Sequence, residues 1–240
     1  MGLKGFVYVL MVVSKCYAFT YDQMYVDLSL LLPKGYEGSF LEFGGLKGRL
    51  KYLTMWNMLL QSFFFTICFL NELIGTSDLI PPPKKTSLIR KFKDILLPSL
   101  AFPLSMFVGL TFWALYAIDR ELVFPKVIDP YFPSWLNHVM HTNIMIFILI
   151  EMFTAFRKYP SRKIGLGILT VFMLAYLGWI HVIHAYTNLW VYPVLDVLNL
   201  PGRVGFFLGL FCLSSGLYLL GEKLNAIVWR KQLSEKSKRK

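Results

Sequence analysis

The amino-acid sequence predicts an all-α fold, a multi-pass transmembrane helical bundle of about six spans with both termini in the cytoplasm. Three observations support this fold class. Of the 240 residues, 56% are hydrophobic and 16% are charged, whereas soluble domains are about 25% charged. Six apolar runs reach the length of about 20 residues that a bilayer-spanning helix needs. The basic residues between these runs lie mostly on one side of the predicted membrane.

The six runs cover approximately residues 3–20, 52–73, 95–118, 135–156, 164–185 and 204–228. Because lipid offers the backbone no hydrogen-bond partners, each run is predicted to be a helix. The first run also has features of a cleaved signal peptide, with Lys4 before a short apolar stretch and the small residue Ala18 near its end. The whole chain, 1–240, is predicted to be one transmembrane domain that ends in a basic cytoplasmic tail, 229–240.

Positive charge orients the predicted bundle. Most of the 25 Lys and Arg residues fall into four groups, at Lys4, 84–93, 157–163 and 223–240. Cytoplasmic loops carry such an excess of positive charge, so this face is predicted to be cytoplasmic. The net charge of +11 is therefore attributed to topology and to anionic membrane lipids. No nucleic-acid partner is expected, because the sequence does not indicate a folded basic surface with aromatic side chains that could stack on bases.

Two polar stripes are predicted to face the interior of the bundle. The stripe in the second span consists of Thr54, Asn57, Gln61, Cys68 and Glu72. In the fourth span, Asn137 and His141 are one turn apart, and Glu151 returns to about the same face. Both spans begin at the non-cytoplasmic face, so Thr54 and His141 are expected to lie roughly 5–10 Å deep at 1.5 Å per residue. Polar side chains at this depth are costly and indicate a functional site.

A hydroxyl and an imidazole at matched depth are sufficient for nucleophilic acyl transfer. Thr54 would attack a carbonyl carbon while His141 accepts the hydroxyl proton. Asn137 is the candidate for holding the imidazole tautomer, and Asn57 is the candidate donor to an oxyanion. Structural roles stay open at this point, because threonine commonly bonds a carbonyl of its own helix and histidines can bond across helices.

The histidines permit two other classes of function. His138/His141 and His181/His184 form two His-x-x-His pairs, from which one histidine each could ligate a haem in an electron-transfer protein. Several of them could instead hold a metal ion together with Glu151. A transporter or a non-enzymatic membrane regulator is a further alternative, although the sequence lacks the internal repeat that many transporters have.

Several runs resemble the androgen-induced protein family. They lie at 48–61, 100–105, 124–129, 135–142, 190–193 and 218–225. The most specific is Trp-Leu-Asn-His-Val-Met-His-Thr at 135–142, and the resemblance covers about 48–225. It implies a multi-pass hydrolase that cleaves fatty acid esters of hydroxy fatty acids with a threonine and a histidine, which fall on Thr54 and His141. It implies no cofactor and no metal. The expected partners are the branched lipid ester and membrane lipids; protein partners are not indicated.

The resemblance does not extend to the ends of the chain. Roughly the first thirty residues and the connector at 81–85 match nothing in the family. The last residues, 236–240, contain lysines that resemble a dilysine retrieval signal to the endoplasmic reticulum. The family resemblance also permits the plasma membrane, so the sequence predicts one of these two membranes.

Overall fold

The computed structural model describes residues 2–27, 48–75 and 86–231, and the regular elements within these ranges are all helical. Six helical segments are long and apolar enough to cross a membrane, which confirms the predicted fold class. The helices are α1 (Leu3–Tyr25), α2 (Leu53–Ile74), α3 (Leu88–Leu96), α4 (Phe102–Asp119), α5 (Ser134–His141), α6 (Asn143–Thr154), α7 (Arg162–Thr187), α8 (Val194–Val197) and α9 (Leu200–Val228).

The third span is the centre of the bundle. It consists of α3, a π-helical turn at Leu97–Ala101 and α4, and it packs against α2, α6 and α9. Pro98 and Pro103 lack the backbone N–H that a regular α-helix requires, so the helix widens at this turn. The span runs from Leu88 to Leu122, longer than predicted, because the charged first turns are helical as well. Arg90 is buried there, and its Nε atom lies 3.6 Å from the Oδ2 atom of Asp94.

The first span packs along α2 and continues to Tyr25, beyond the predicted end at residue 20. Its interior face carries Tyr8, Lys15 and Asp22, one polar residue every seven positions. The ammonium group of Lys15 lies 4.7 Å from the centroid of the Phe147 ring, a cation–π contact. The signal-peptide interpretation concerns processing and stays a prediction.

The predicted interior stripe of α2 is correct except at its last member. Asn57, Gln61 and Cys68 are buried, whereas Glu72 is exposed and Asn71 is buried instead. The prediction for Glu72 was therefore wrong. The physical reason is that successive helix residues are about 100° apart, so the burial of Asn71 directs Glu72 away from the interior.

Glu151 faces the interior, as its spacing from Asn137 predicted. It is buried, accepts a hydrogen bond from the Tyr8 hydroxyl at 2.8 Å and forms an ion pair with the buried Arg157. The carbonyl oxygen of Arg157 accepts a hydrogen bond from Asn225 of α9 at 3.0 Å. This network joins α1, α6 and α9 at the end of the bundle where α2 ends.

We call the opposite end of the bundle, where α2 begins and α7 ends, the site end. The membrane orientation, with both termini cytoplasmic, stays a prediction. Part of its basis lies outside the described residues, namely Lys34, Lys47, the connector at 81–85 and the tail from 232 to 240.

Candidate active site

Thr54 and His141 meet at the site end. Thr54 lies in the first turn of α2, and His141 is the last residue of α5. The Thr54 Oγ1 atom is 3.2 Å from the His141 Nε2 atom, which is within hydrogen-bond distance. The structure therefore brings together the two residues that depth and helical spacing had placed in one layer.

The hydroxyl of Thr54 differs from four other hydroxyls, two of them in α2 itself. Ser62, Thr66, Thr154 and Thr187 each donate to the carbonyl four residues earlier, as threonine and serine in membrane helices commonly do. For Thr54 that carbonyl belongs to Leu50, and it already accepts from the indole N–H groups of Trp56 at 2.7 Å and Trp179 at 3.0 Å. The hydroxyl of Thr54 is consequently directed to the imidazole.

Asn137 determines the tautomer of His141. The Nδ1 atom of His141 lies 2.7 Å from Asn137 Oδ1 and 3.1 Å from the Asn137 carbonyl oxygen. Both are acceptors, so Nδ1 carries the proton and Nε2 presents a lone pair to Thr54. The ring of Phe112 stacks on the imidazole, with 3.6 Å between the centroids and 11° between the planes. The imidazole is thus fixed in position and in the protonation pattern of a general base.

A hydroxyl pair that sequence reasoning missed holds the start of α2. The Leu53 N–H donates to the hydroxyls of Tyr176 at 2.9 Å and Tyr192 at 3.1 Å. The hydroxyl of Tyr176 also donates to the Lys51 carbonyl, and the two hydroxyl oxygens are 2.8 Å apart, so Tyr192 is the donor between them. Burial raises the pKa of Tyr192 to about 12, so this hydroxyl remains a proton donor well above neutral pH. The pair positions the residue next to Thr54.

Thr54 and His141 open into an apolar cavity of about 230 Å³. Its walls come from α2, α4, α5, α7, α9 and the connectors between α4 and α5 and between α7 and α9, and most of the lining side chains are apolar. The polar lining includes Tyr176, Tyr192 and the ion pair between Asp22 and Arg49. A cavity of this composition suits an apolar ligand with a few polar groups.

Asn57 lies outside this cavity lining. Its Oδ1 atom accepts from the Ser105 hydroxyl at 3.1 Å, and Gln61 donates to the same hydroxyl. Its Nδ2 atom has no hydrogen-bond partner among the described residues. The structure therefore places Asn57 one turn below Thr54, within a polar network between α2 and α4, and its role as an oxyanion donor stays a prediction.

The other three histidines do not contact Thr54. His138 is exposed and lies 3.1 Å from the Thr142 hydroxyl. His181 and His184 contact the ring of Trp190, at centroid distances of 5.4 Å and 3.9 Å. His141 has both ring nitrogens in hydrogen bonds, so axial ligation of a haem through Nε2 would require the loss of the contact with Thr54. No group of three or more His, Cys, Asp or Glu side chains suited to a metal ion occurs within residues 2–27, 48–75 and 86–231.

Comparison with known proteins gives a consistent family assignment. The family model for FAR-17a/AIG1-like proteins matches residues 6–226. The prediction that roughly the first thirty residues match nothing in the family was therefore wrong. The androgen-dependent TFPI-regulating protein of Mesocricetus auratus is 42% identical over 186 residues, which cover 76% of this chain and 78% of that protein. The androgen-induced gene 1 protein of Homo sapiens is 41% identical over 192 residues, 78% of this chain and 80% of that protein. No solved structure matches.

Proposed function

This chain belongs to the FAR-17a/AIG1-like protein family, and we propose that it is an intramembrane hydrolase that cleaves fatty acid esters of hydroxy fatty acids. The observation that carries the proposal is the 3.2 Å contact between Thr54 Oγ1 and His141 Nε2 at the wall of an apolar cavity. A hydroxyl nucleophile with an adjacent, oriented imidazole is the minimum arrangement for covalent acyl transfer.

In the first step, Thr54 Oγ1 attacks the ester carbonyl carbon while its proton moves to His141 Nε2. The resulting imidazolium keeps its Nδ1–H bond to Asn137, which stabilises the positive charge. Collapse of the tetrahedral intermediate breaks the ester C–O bond, and His141 returns the proton to the departing hydroxy fatty acid. The acyl group remains on Thr54 as an ester.

In the second step, water attacks the acyl-threonine with His141 again as the base. The products are a free fatty acid and the regenerated Thr54 hydroxyl, so protons and bonds balance over the two steps. The polar network of Asn57, Gln61 and Ser105 below the pair offers a route for water between α2 and α4. Neither step requires a redox group or a metal ion.

The tetrahedral intermediate carries a negative charge on the former carbonyl oxygen, and this oxyanion requires hydrogen-bond donors. The predicted donor is Asn57, whose Nδ2 atom has no partner among the described residues. A second source is the start of α2, where the helix dipole is positive. Thr54 lies in this first turn, so an oxyanion formed at its side chain would be near the positive helix end.

The chain is a multi-pass membrane protein by the length and apolarity of its helices. We place it in the endoplasmic reticulum or the plasma membrane, with its termini and its basic tail in the cytoplasm. The support for this is the excess of Lys and Arg on one face and the lysines near the C-terminus. Microscopy of the full chain beside a variant with the last five residues replaced by alanine tests retention in the endoplasmic reticulum.

The test of the enzymatic proposal is turnover of the palmitic acid ester of a hydroxystearic acid by the purified full chain. Thr54→Ala and His141→Ala are each expected to lower kcat by about 10³-fold or more, because each removes a group that reacts. The matched controls are Thr66→Ala, which removes an exposed hydroxyl from the same helix, and His138→Ala, which removes the neighbouring exposed histidine. Full activity in either site variant would refute the assignment.

A further inference from the structure

Arg203 is a half-buried arginine at the site end. Its Nε atom donates to the carbonyl oxygen of Leu195 at 2.8 Å. No salt bridge to Arg203 occurs among the described residues, whereas Arg49 and Arg120, at the same end, each pair with an aspartate. A guanidinium has five N–H groups, so Arg203 retains donors for an anionic ligand.

Aromatic side chains fix the orientation of this guanidinium. The Cζ atom of Arg203 lies 4.8 Å from the centroid of the Trp190 ring, and the ring of His184 stacks on Trp190 at 3.9 Å. His181 contacts Trp190 at 5.4 Å, edge to face. We call His181, His184, Trp190 and Arg203 the Arg203 cluster. A planar guanidinium held by a cation–π contact and by one hydrogen bond is well prepared for bidentate binding of a carboxylate.

The Arg203 cluster borders the cavity that contains Thr54. Leu195, whose carbonyl holds Arg203, lines the cavity, as does Phe207, which contacts His181 at 5.6 Å. Arg203 precedes Phe207 by one helical turn, about 6 Å along α9 at 1.5 Å per residue. The cavity wall also includes Leu174 of α7, which is 54% exposed. The cavity therefore reaches the lipid-facing surface of α7, with the Arg203 cluster at the site end.

We propose that Arg203 binds the free carboxylate of the lipid ester and thereby sets the depth at which the ester carbonyl meets Thr54. This inference rests on the proposed function. An ester between a fatty acid and the hydroxyl of a hydroxy fatty acid retains one ionised carboxylate. That charge is costly to bury without a partner, so it stays near the headgroup level while both hydrocarbon arms enter the apolar cavity. The carboxylate held by Arg203 belongs to the hydroxy fatty acid, which is the first product to leave.

The test compares two substrates in two proteins. The substrates are the palmitic acid ester of a hydroxystearic acid and the methyl ester of the same compound, which lacks the charge. The wild-type chain is expected to prefer the acid in kcat/KM, and Arg203→Gln is expected to reduce this preference about tenfold to hundredfold, mainly through KM of the acid. A charged hydrogen bond of ordinary strength accounts for a change of this size. The preference is the kcat/KM of the acid divided by that of the methyl ester. Comparing this preference between the two proteins cancels differences in how the two substrates partition into detergent.

Arg120→Gln is the matched control, because it removes another arginine at the same end of the chain, one that pairs with Asp129. It is expected to leave the preference for the acid unchanged. An Arg203→Gln protein that slows both substrates equally, or that keeps the full preference, would refute the subsite while the hydrolase proposal stands.

A binding measurement separates the two proposals. Oleate is expected to bind the purified wild-type chain more tightly than oleyl alcohol does, and Arg203→Gln should remove this difference. Oleate binding that depends on Arg203 without turnover of any ester would support the carboxylate subsite and overturn the proposed hydrolysis. Oleate binding that is the same in both proteins would overturn the subsite.

Discussion

Asn137→Ala separates the orientation of the imidazole from its chemistry. The Nδ1–H group of His141 has two acceptors, Asn137 Oδ1 at 2.7 Å and the Asn137 carbonyl oxygen at 3.1 Å. The substitution removes the first and leaves the second, so Nδ1 keeps the proton and Nε2 stays a base. One ordinary hydrogen bond contributes about 0.5–1.5 kcal/mol, which corresponds to a decrease in kcat of about twofold to twelvefold. The assay is turnover of the palmitic acid ester of a hydroxystearic acid.

Asn143→Ala is the control for this experiment, because Asn143 lies two residues after His141 and contacts neither ring nitrogen. It is expected to retain wild-type kcat. A loss in Asn137→Ala as large as that in His141→Ala would show that the backbone carbonyl does not hold the tautomer and would refute the reasoning. An Asn137→Ala protein with unchanged kcat would show that the side chain contributes nothing to orientation.

Three further substitutions test other parts of the arrangement. Thr54→Ser should keep kcat within about threefold of wild type, because Ser retains the hydroxyl and loses only the methyl group that restricts χ1. The isosteric Thr54→Val should be inactive, because it lacks the hydroxyl. Equal kcat values for the Ser and Val variants would exclude Thr54 as the nucleophile. Tyr192→Phe should lower kcat about fivefold with little change in KM, since a hydrogen bond of about 1 kcal/mol at the start of α2 is lost; an effect on KM alone would instead indicate substrate contact. Glu151→Ala should lower the free energy of unfolding by about 1–3 kcal/mol, because it removes the acceptor of the Tyr8 hydroxyl and one of the two carboxylates that face the buried Arg157, the other being Asp94. A thermal melt beside Arg162→Gln, which breaks an exposed pair and should cost under about 1 kcal/mol, checks this.

The spans were predictable because each depends on a local property, an apolar run of about 20 residues. Their ends were less predictable. The apolar run of the third span was predicted to begin after three charged residues, Arg90, Lys91 and Lys93, yet α3 includes all three. Arg90 is buried beside Asp94 at 3.6 Å, and hydropathy of single residues contains no information about such pairing. The prediction for Glu72 failed for a different reason. Asn71 follows Cys68 by three residues and Glu72 follows it by four, and both spacings keep to one helix face, so spacing alone did not decide which side chain is buried.

Part of the candidate site could be predicted and part could not. Thr54 and His141 lie in two spans whose order fixes their depth, and His141 and Asn137 share one helix face. The residues that were missed are Tyr176 of α7, Tyr192 of the connector between α7 and α8, and Phe112 of α4. Their contacts depend on how these elements pack against α2 and α5, which no single-helix periodicity specifies. A signal existed for Tyr192, because it lies in the run at 190–193 that resembles the family.

The reactive pair lies where regular helical bonding is interrupted. Before α2, the Leu53 N–H and the Leu50 carbonyl have no partner within a helix, and in a membrane protein an unsatisfied backbone group costs several kcal/mol. The hydroxyls of Tyr176 and Tyr192 satisfy the first, and the indoles of Trp56 and Trp179 satisfy the second. Because the indoles occupy the carbonyl that Thr54 would otherwise use, the same contacts that stabilise the helix start also direct the hydroxyl to His141. Stability and reactivity at this position therefore have one structural origin, and a substitution that frees the Leu50 carbonyl is expected to weaken both.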